Sequence, residues 1–204
     1  LSRDHIEQMP LLYKHYGIAS FKYYTNYMYR VPELFKVPEE KALRLDDGDM
    51  GYILSRMGKL MPSVTLCVHC ESMEISRSPL FHEEWDALPN KDTLDWYEKR
   101  SPDYAETCAA MSAAIMARKF GAKAYIVHTS AGLSVEAMRP LLALPEMRQH
   151  VTVETCPHYL VCNTDSEAGL LAKVNPPVRT EEDSRRLWEG VADGTINSIG
   201  TDHC

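Results

Sequence analysis

Ala122-Lys123-Ala124-Tyr125-Ile126-Val127-His128 is the stretch on which the fold turns: a short run of aliphatic and aromatic residues closing on a histidine. Three other runs have the same form. They are Gly17-Ile18-Ala19-Ser20-Phe21-Lys22, Val64-Thr65-Leu66-Cys67-Val68-His69 and Ile196-Asn197-Ser198-Ile199-Gly200-Thr201-Asp202, each ending on a residue that can hold a metal. Runs of this length and composition suit strands buried on both faces. A fifth run, Val151-Thr152-Val153-Glu154-Thr155, alternates more openly. Helical patterns separate the runs, so the strands should be parallel, with their C-terminal ends at one rim. In a β/α barrel that rim carries the chemistry, and Lys22, His69, His128 and Asp202 would meet there although far apart in sequence.

The helices have their own signals. A helix is expected over residues 5–16, with Pro10 forcing a late start or a kink and Gly17 as the stop. Another should run from Asp49, as cap, to Leu60, with Pro62 just beyond. Residues 70–100 read as a long loop with short helical pieces. Ser101 and Pro102 then open the strongest helix, with small or apolar residues at 105, 108, 109, 112, 115, 116 and 120 and Gly121 at its end. A short helix over residues 134–144 closes at Pro145. Thr180, with Asp183 three residues on, caps a helix reaching about Ala192. Five strands alternating with helices fit either an open doubly wound sheet or part of an eight-stranded barrel. The chain starts inside a helical pattern and stops two residues after Asp202, so an arc cut at both ends, a single truncated domain over residues 1–204, is expected.

Bulk properties exclude several classes of function. A net charge of -7 with pI near 5.6 argues against nucleic acid and anionic membranes as partners. No apolar run approaches the roughly 18 residues that span a bilayer, and no signal-peptide pattern opens the chain. The six cysteines, at 67, 70, 108, 156, 162 and 204, are scattered rather than framed as a disulfide scaffold, which suits reduced thiols in the cytoplasm. Cys67 and Cys70 carry metal-like spacing but fall on opposite faces of one strand. No G-x-G-x-x-G or phosphate-binding loop occurs, so no nucleotide cofactor is expected.

A lysine at a barrel mouth can bury its stem and solvate its amine. Alternatively it can work deprotonated, as a Schiff-base nucleophile or as a carbamate that bridges two cations. A lone strand-end histidine is commonly structural. Two in matching positions with an aspartate at a third strand end point to a metal, since neutral imidazole suits Zn²⁺ and a carboxylate serves as ligand or base. The Schiff-base alternative explains Lys22 but not the histidines and aspartate. Glu154 reads as an outer partner of the site or, more simply, a satisfied polar group on its strand. The tyrosines at 23, 24, 27 and 29 read as loop packing or a subunit contact.

Seven segments in order resemble the cyclic amidohydrolases of the dihydropyrimidinase/hydantoinase/allantoinase/dihydroorotase group. They are Gly17–Lys22 with Tyr27 five residues on, Val68-His69-Cys70-Glu71-Ser72, and Arg100-Ser101-Pro102 with Glu106. Ile126-Val127-His128-Thr129-Ser130, Glu154-Thr155-Cys156-Pro157-His158-Tyr159-Leu160, Lys173-Val174-Asn175-Pro176-Pro177-Val178-Arg179 and Gly200-Thr201-Asp202-His203-Cys204 complete the set. The resemblance implies a partial (β/α)₈ TIM barrel, strands four to eight of eight. It also implies two divalent ions, commonly Zn²⁺, bridged by carbamylated Lys22. It makes His69 and His128 ligands of the second metal and Asp202 a ligand of the first and the proton shuttle. Tyr27 becomes the oxyanion donor, and Asn175 a contact to the cyclic imide. A small-molecule cyclic amide substrate and a homotetramer follow from the same likeness. The first metal's H-x-H pair is absent here, which truncation before strand four explains. Asn175 and the Cys156-Pro157-His158-Tyr159 run lean towards allantoinase or dihydroorotase, and Tyr27 leans towards hydantoinase. Metal-free assembly scaffolds in the same superfamily remain a non-catalytic alternative.

Overall fold

The structure is a computed structural model that describes residues 2–203, the side chains at 80, 81 and 84 excepted. Cys204 lies outside the described residues. The chain runs α1 (Arg3–Tyr16), β1 (Ser20–Tyr24), a 3₁₀ turn (Thr25–Tyr27), α2 (Val31–Phe35), α3 (Asp47–Leu60) and β2 (Thr65–His69). The long connection holds α4 (Met73–Ser76), α5 (Pro79–Asp86) and α6 (Leu94–Lys99). Then come α7 (Asp103–Phe120), β3 (Lys123–Ile126), α8 (Gly132–Leu142), α9 (Pro145–Arg148), β4 (Val151–Thr155), α10 (Pro157–Val161), α11 (Glu181–Asp193) and β5 (Ser198–Ile199).

The five strands are parallel throughout and lie in the order β1-β2-β3-β4-β5. A doubly wound sheet must reverse its strand order at one point and carry helices on both faces. This sheet never reverses, so it is an arc of a β/α barrel. Tyr23, Leu66, Val68, Ala124, Ile126, Val151, Val153 and Thr155 are buried on the helix side. On the other face Lys22 and Lys123 are exposed, and Cys67, Tyr125, Thr152, Glu154 and Ser198 are half-buried. The expected burial on both faces therefore holds on one only. Apolar side chains cluster where helices pack, and the polar ones mark the opposite face.

Alanine sets the packing of α7: Ala109, Ala110, Ala113, Ala114 and Ala117 are all buried. Their small size lets the α7 backbone come close to α3. At Gly58 of α3 an added Cβ would overlap the carbonyl oxygen of Phe120 at the end of α7. Met50, Ile53, Leu54, Met57 and Met61 fill the space between α3 and the sheet.

Several boundaries differ from the sequence expectation. α1 starts at Arg3 and carries Pro10 within it, because the Ser2 backbone N–H and hydroxyl pair with His5 Nδ1 and hold the first turn. Asp46, not Asp49, caps α3 by accepting the Asp49 N–H at 2.9 Å. The Asp49 carboxylate instead takes the N–H groups of Arg44 and Leu45. Pro102 occupies the cap position of α7 in place of Ser101. Thr180 and Asp183 do form a capping box at α11. β1 ends on Tyr24, so Lys22 lies in mid-strand, as Tyr23 and Tyr24 extend the pairing to Val68 and His69. β5 is only two residues long, which leaves Asp202 in the segment after it.

Candidate metal centre

His69 is the last residue of β2, and His128 follows the end of β3 by two residues. Parallel pairing of these neighbours brings the two rings together. His69 Nδ1 lies 3.0 Å from His128 Nε2, with ring centroids 4.6 Å apart and planes at 68°. With both rings neutral, the hydrogen-bond pattern sets the tautomers. Glu71 Oε2 sits 3.3 Å from His69 Nε2, and a carboxylate accepts. Hence His69 carries its proton on Nε2 and accepts at Nδ1, and His128 donates from Nε2. His128 Nδ1 is then left buried without a partner.

Both rings are buried, each with 3% of its surface exposed. Burial, reinforced by the electrostatic influence of neighbouring His69 and Lys22, pulls the His128 imidazole down to about 2. Its neutral form is thus the folded form, as a ligand requires. A neutral preference that exists only in the folded state contributes stability that is whole above pH about 6.5. That contribution is lost as pH falls from there towards 2. The metal-free chain should therefore melt progressively lower between pH 7.5 and 5.5, and His128→Gln should flatten the slope. A thermal-melting series with the same slope in both proteins would contradict this.

Glu71 alternates with His69 on β2 and its extension, an i, i+2 spacing that puts both on one face. Burial pushes its carboxyl upward, but hydrogen bonds from His69 and Ser101 and the charge of Arg100 hold it below the usual carboxylate range. The strand end is pinned by Thr25. Its hydroxyl lies 2.7 and 2.9 Å from the carbonyls of His69 and Glu71 and accepts the Glu71 N–H at 2.7 Å.

Lys22 stands on the polar face of β1, in register with Cys67, its Nζ 5.3 Å from the centroid of the Tyr24 ring. Its charge bears on Cys67, Cys70, His128 and Cys156. Asp202 is exposed, with a left-handed backbone at φ 49°, and its charge bears on His158, Cys156 and Tyr159. The structure does not bring it into the His69–His128 contact. Tyr27 ends the 3₁₀ turn after β1, stacked on Tyr24 at 5.1 Å and edge-on to Phe35. Tyr27 and Asn175 line one cavity of about 470 Å³, together with Glu71, Tyr97, Arg100 and Arg30. That cavity adjoins the histidine pair through Glu71.

Among the described residues no three His, Cys, Asp or Glu side chains already form a metal cluster. The histidine pair nonetheless fits a metal. Two imidazole nitrogens on one tetrahedral zinc stand about 3.3 Å apart for bonds of about 2.0–2.1 Å, close to the 3.0 Å seen here. Lys22 offers a third ligand only as its carbamate.

Sequence reasoning gave no role to three groups. Glu71 was signalled by its alternation with His69. Glu106 and Arg179 are buried and charged, at 2% exposure each, and pair with each other across 3.5 Å. Cys67, Cys70, Cys108, Cys156 and Cys162 are free thiols. Among the described residues no helix is long and apolar enough to cross a membrane.

No protein-family model matches the chain. Among curated proteins it is 36% identical over 140 residues to an allantoinase of Solibacter usitatus, a match covering 68% of this chain and 29% of that protein. It is 33% identical over 146 residues to a dihydroorotase of Acetivibrio thermocellus, covering 70% and 32% respectively. The crystal structure of a dihydropyrimidinase from Brevibacillus agri superposes with a TM-score of 0.77 at 25% identity, over all of this chain and 41% of that one. The chain thus spans about 30% of the length of the curated relatives it matches.

Proposed function

We propose, on the premise that this chain belongs to the cyclic amidohydrolase group, that it carries half of a two-metal site for opening a cyclic amide or imide ring. The observation that carries the reading is the head-on pair of imidazole nitrogens, His69 Nδ1 and His128 Nε2, 3.0 Å apart at the ends of adjacent parallel strands. Support also comes from the cavity beside them, which holds Tyr27 and Asn175.

In this reading His69 and His128 would hold one divalent ion, and Lys22, as its carbamate, and Asp202 would be ligands for a second. Two such ions, Zn²⁺ by family likeness, would supply Lewis acidity and lower the pKa of water at the site. The chain's residues do the rest. Tyr27 donates its phenolic proton towards the oxygen of the ring carbonyl, where negative charge develops on attack. Asn175 orients the ring by hydrogen bonding its amide edge. Asp202 takes the proton of the attacking water and returns it to the leaving ring nitrogen. Glu71 holds His69 in the tautomer that frees Nδ1. The product is an N-carbamoyl amino acid or a comparable ring-opened amide.

The hydantoinase/dihydropyrimidinase kind is the first reading, on Tyr27. A second, allantoinase or dihydroorotase, is favoured by the curated relatives of those names at 36% and 33% identity. The test loads the full-length protein with Zn²⁺ in bicarbonate and offers hydantoin, dihydrouracil, allantoin and dihydroorotate. Ring opening of hydantoin or dihydrouracil is expected. Turnover confined to allantoin or dihydroorotate would select the second reading, and turnover of none by the loaded protein would reject both.

A further inference from the structure

The turn that carries His128 is held in an unusual way. His128 has φ 43°, a left-handed backbone that a non-glycine residue adopts only when its surroundings impose it. The four successive backbone N–H groups from His128 to Ala131 all point at two glutamates. Glu154 Oε1 accepts from His128 N–H at 3.0 Å, and the Glu154 carbonyl accepts from Thr129 N–H at 2.7 Å. The Glu106 carboxylate accepts from Ser130 N–H at 3.2 Å and from Ala131 N–H at 3.0 Å. Glu106 further accepts from the hydroxyls of Ser130 at 2.6 Å and Ser134 at 2.9 Å.

Each glutamate is anchored from behind. Tyr125 donates its hydroxyl to Glu154 Oε2 at 2.7 Å. Arg179, fully buried, donates from Nε to Ser130 Oγ at 2.9 Å and from Nη1 to Glu98 and to the Ser101 carbonyl, each at 2.9 Å. A carboxylate that accepts several N–H bonds in a buried setting is a stiff support. The supports come from separate elements, α7 and β4, on either side of the turn.

We propose that Glu106 and Glu154 are positioning residues that clamp the His128–Ala131 turn in its left-handed conformation and so aim His128 Nε2 at His69 Nδ1. The proposal rests on the reading of those two nitrogens as metal ligands. Glu106→Gln keeps the shape but puts an N–H where an acceptor is needed, so one of the Ser130 or Ala131 bonds must break. Glu154→Gln is the milder variant, at a half-buried site, and weakens the charge-assisted hold on His128 N–H.

The test has two readouts on the full-length protein. In the metal-free protein, nitrogen NMR of the histidine rings follows the His128–His69 ring hydrogen bond. Zn²⁺ affinity is read by chelator competition, with Leu142→Ala as a core variant that lowers stability without touching the turn. Glu106→Gln should lose the ring hydrogen bond and bind Zn²⁺ about 10–100-fold more weakly, the usual effect of removing an outer partner. Glu154→Gln should move the same way by less, and Leu142→Ala should leave both readouts unchanged. An intact ring hydrogen bond in Glu106→Gln, or equal loss in Leu142→Ala, would overturn the clamp. Absence of Zn²⁺ binding by the unaltered protein would overturn the functional reading instead, while the ring hydrogen bond still tests the clamp.

Discussion

Lys22→Ala is expected to abolish loading of the bridged metal pair and with it ring opening. The loss should exceed the roughly 10–100-fold that removing an outer partner costs. Lys22 is exposed, so the substitution removes little packing and the fold should survive. What it removes is the amine on the polar face of β1 that can become a bridging carboxylate. A short-chain carboxylic acid added to the variant should restore part of the activity by supplying the same head group. Metal content measured with and without bicarbonate, beside the hydrolysis rate, checks this. Full activity without additive would reject the bridging role.

Arg179→Met should be the most damaging single change to stability, at about 3–5 kcal/mol. The side chain of Arg179 is fully buried between Glu98 and Glu106, and Ser101 and Ser130 accept two more of its hydrogen bonds. Removing one partner of a buried ion pair costs far more than the pair itself contributes, because the remaining carboxylates lose their compensation. Urea unfolding of the two proteins measures it. A loss below about 1 kcal/mol, in the range of a surface pair, would contradict the buried-network account.

The strands were legible because aliphatic runs between helical patterns have few other uses, and all five lie where the apolar runs place them. Their order was legible only through the family resemblance, which implied strands four to eight of a barrel. Both barrel and doubly wound sheet share the same alternation of elements, and only the pairing of β1 through β5 in sequence separates them. Lys22 illustrates a boundary error: the run of apolar residues ends there, but the two tyrosines that follow keep the strand going.

His69 and His128 were marked by their places at the ends of apolar runs, and the structure sets their ring nitrogens 3.0 Å apart. Asp202 shared that mark, yet with β5 only two residues long its side chain lies outside the histidine contact. The Glu106–Arg179–Glu98 network left no local signal. Glu106 sits in the first turn of α7, where an acidic residue is ordinary, and Arg179 closes a loop. Their partners are 24 to 81 residues away, beyond the reach of any periodicity. Glu154 read more simply as a satisfied strand polar group, and its bonds to Tyr125 and His128 satisfy it; that one of these bonds falls on the backbone of the turn carrying His128 needs the three-dimensional neighbourhood.

The central claim is that His69 and His128 share a divalent ion. Anomalous diffraction at the zinc edge, on crystals of the Zn²⁺-loaded full-length protein, tests it most directly. The account predicts a peak about 2.0–2.1 Å from both His69 Nδ1 and His128 Nε2. Zinc bound elsewhere, with those two nitrogens still facing each other across a hydrogen bond, would contradict it.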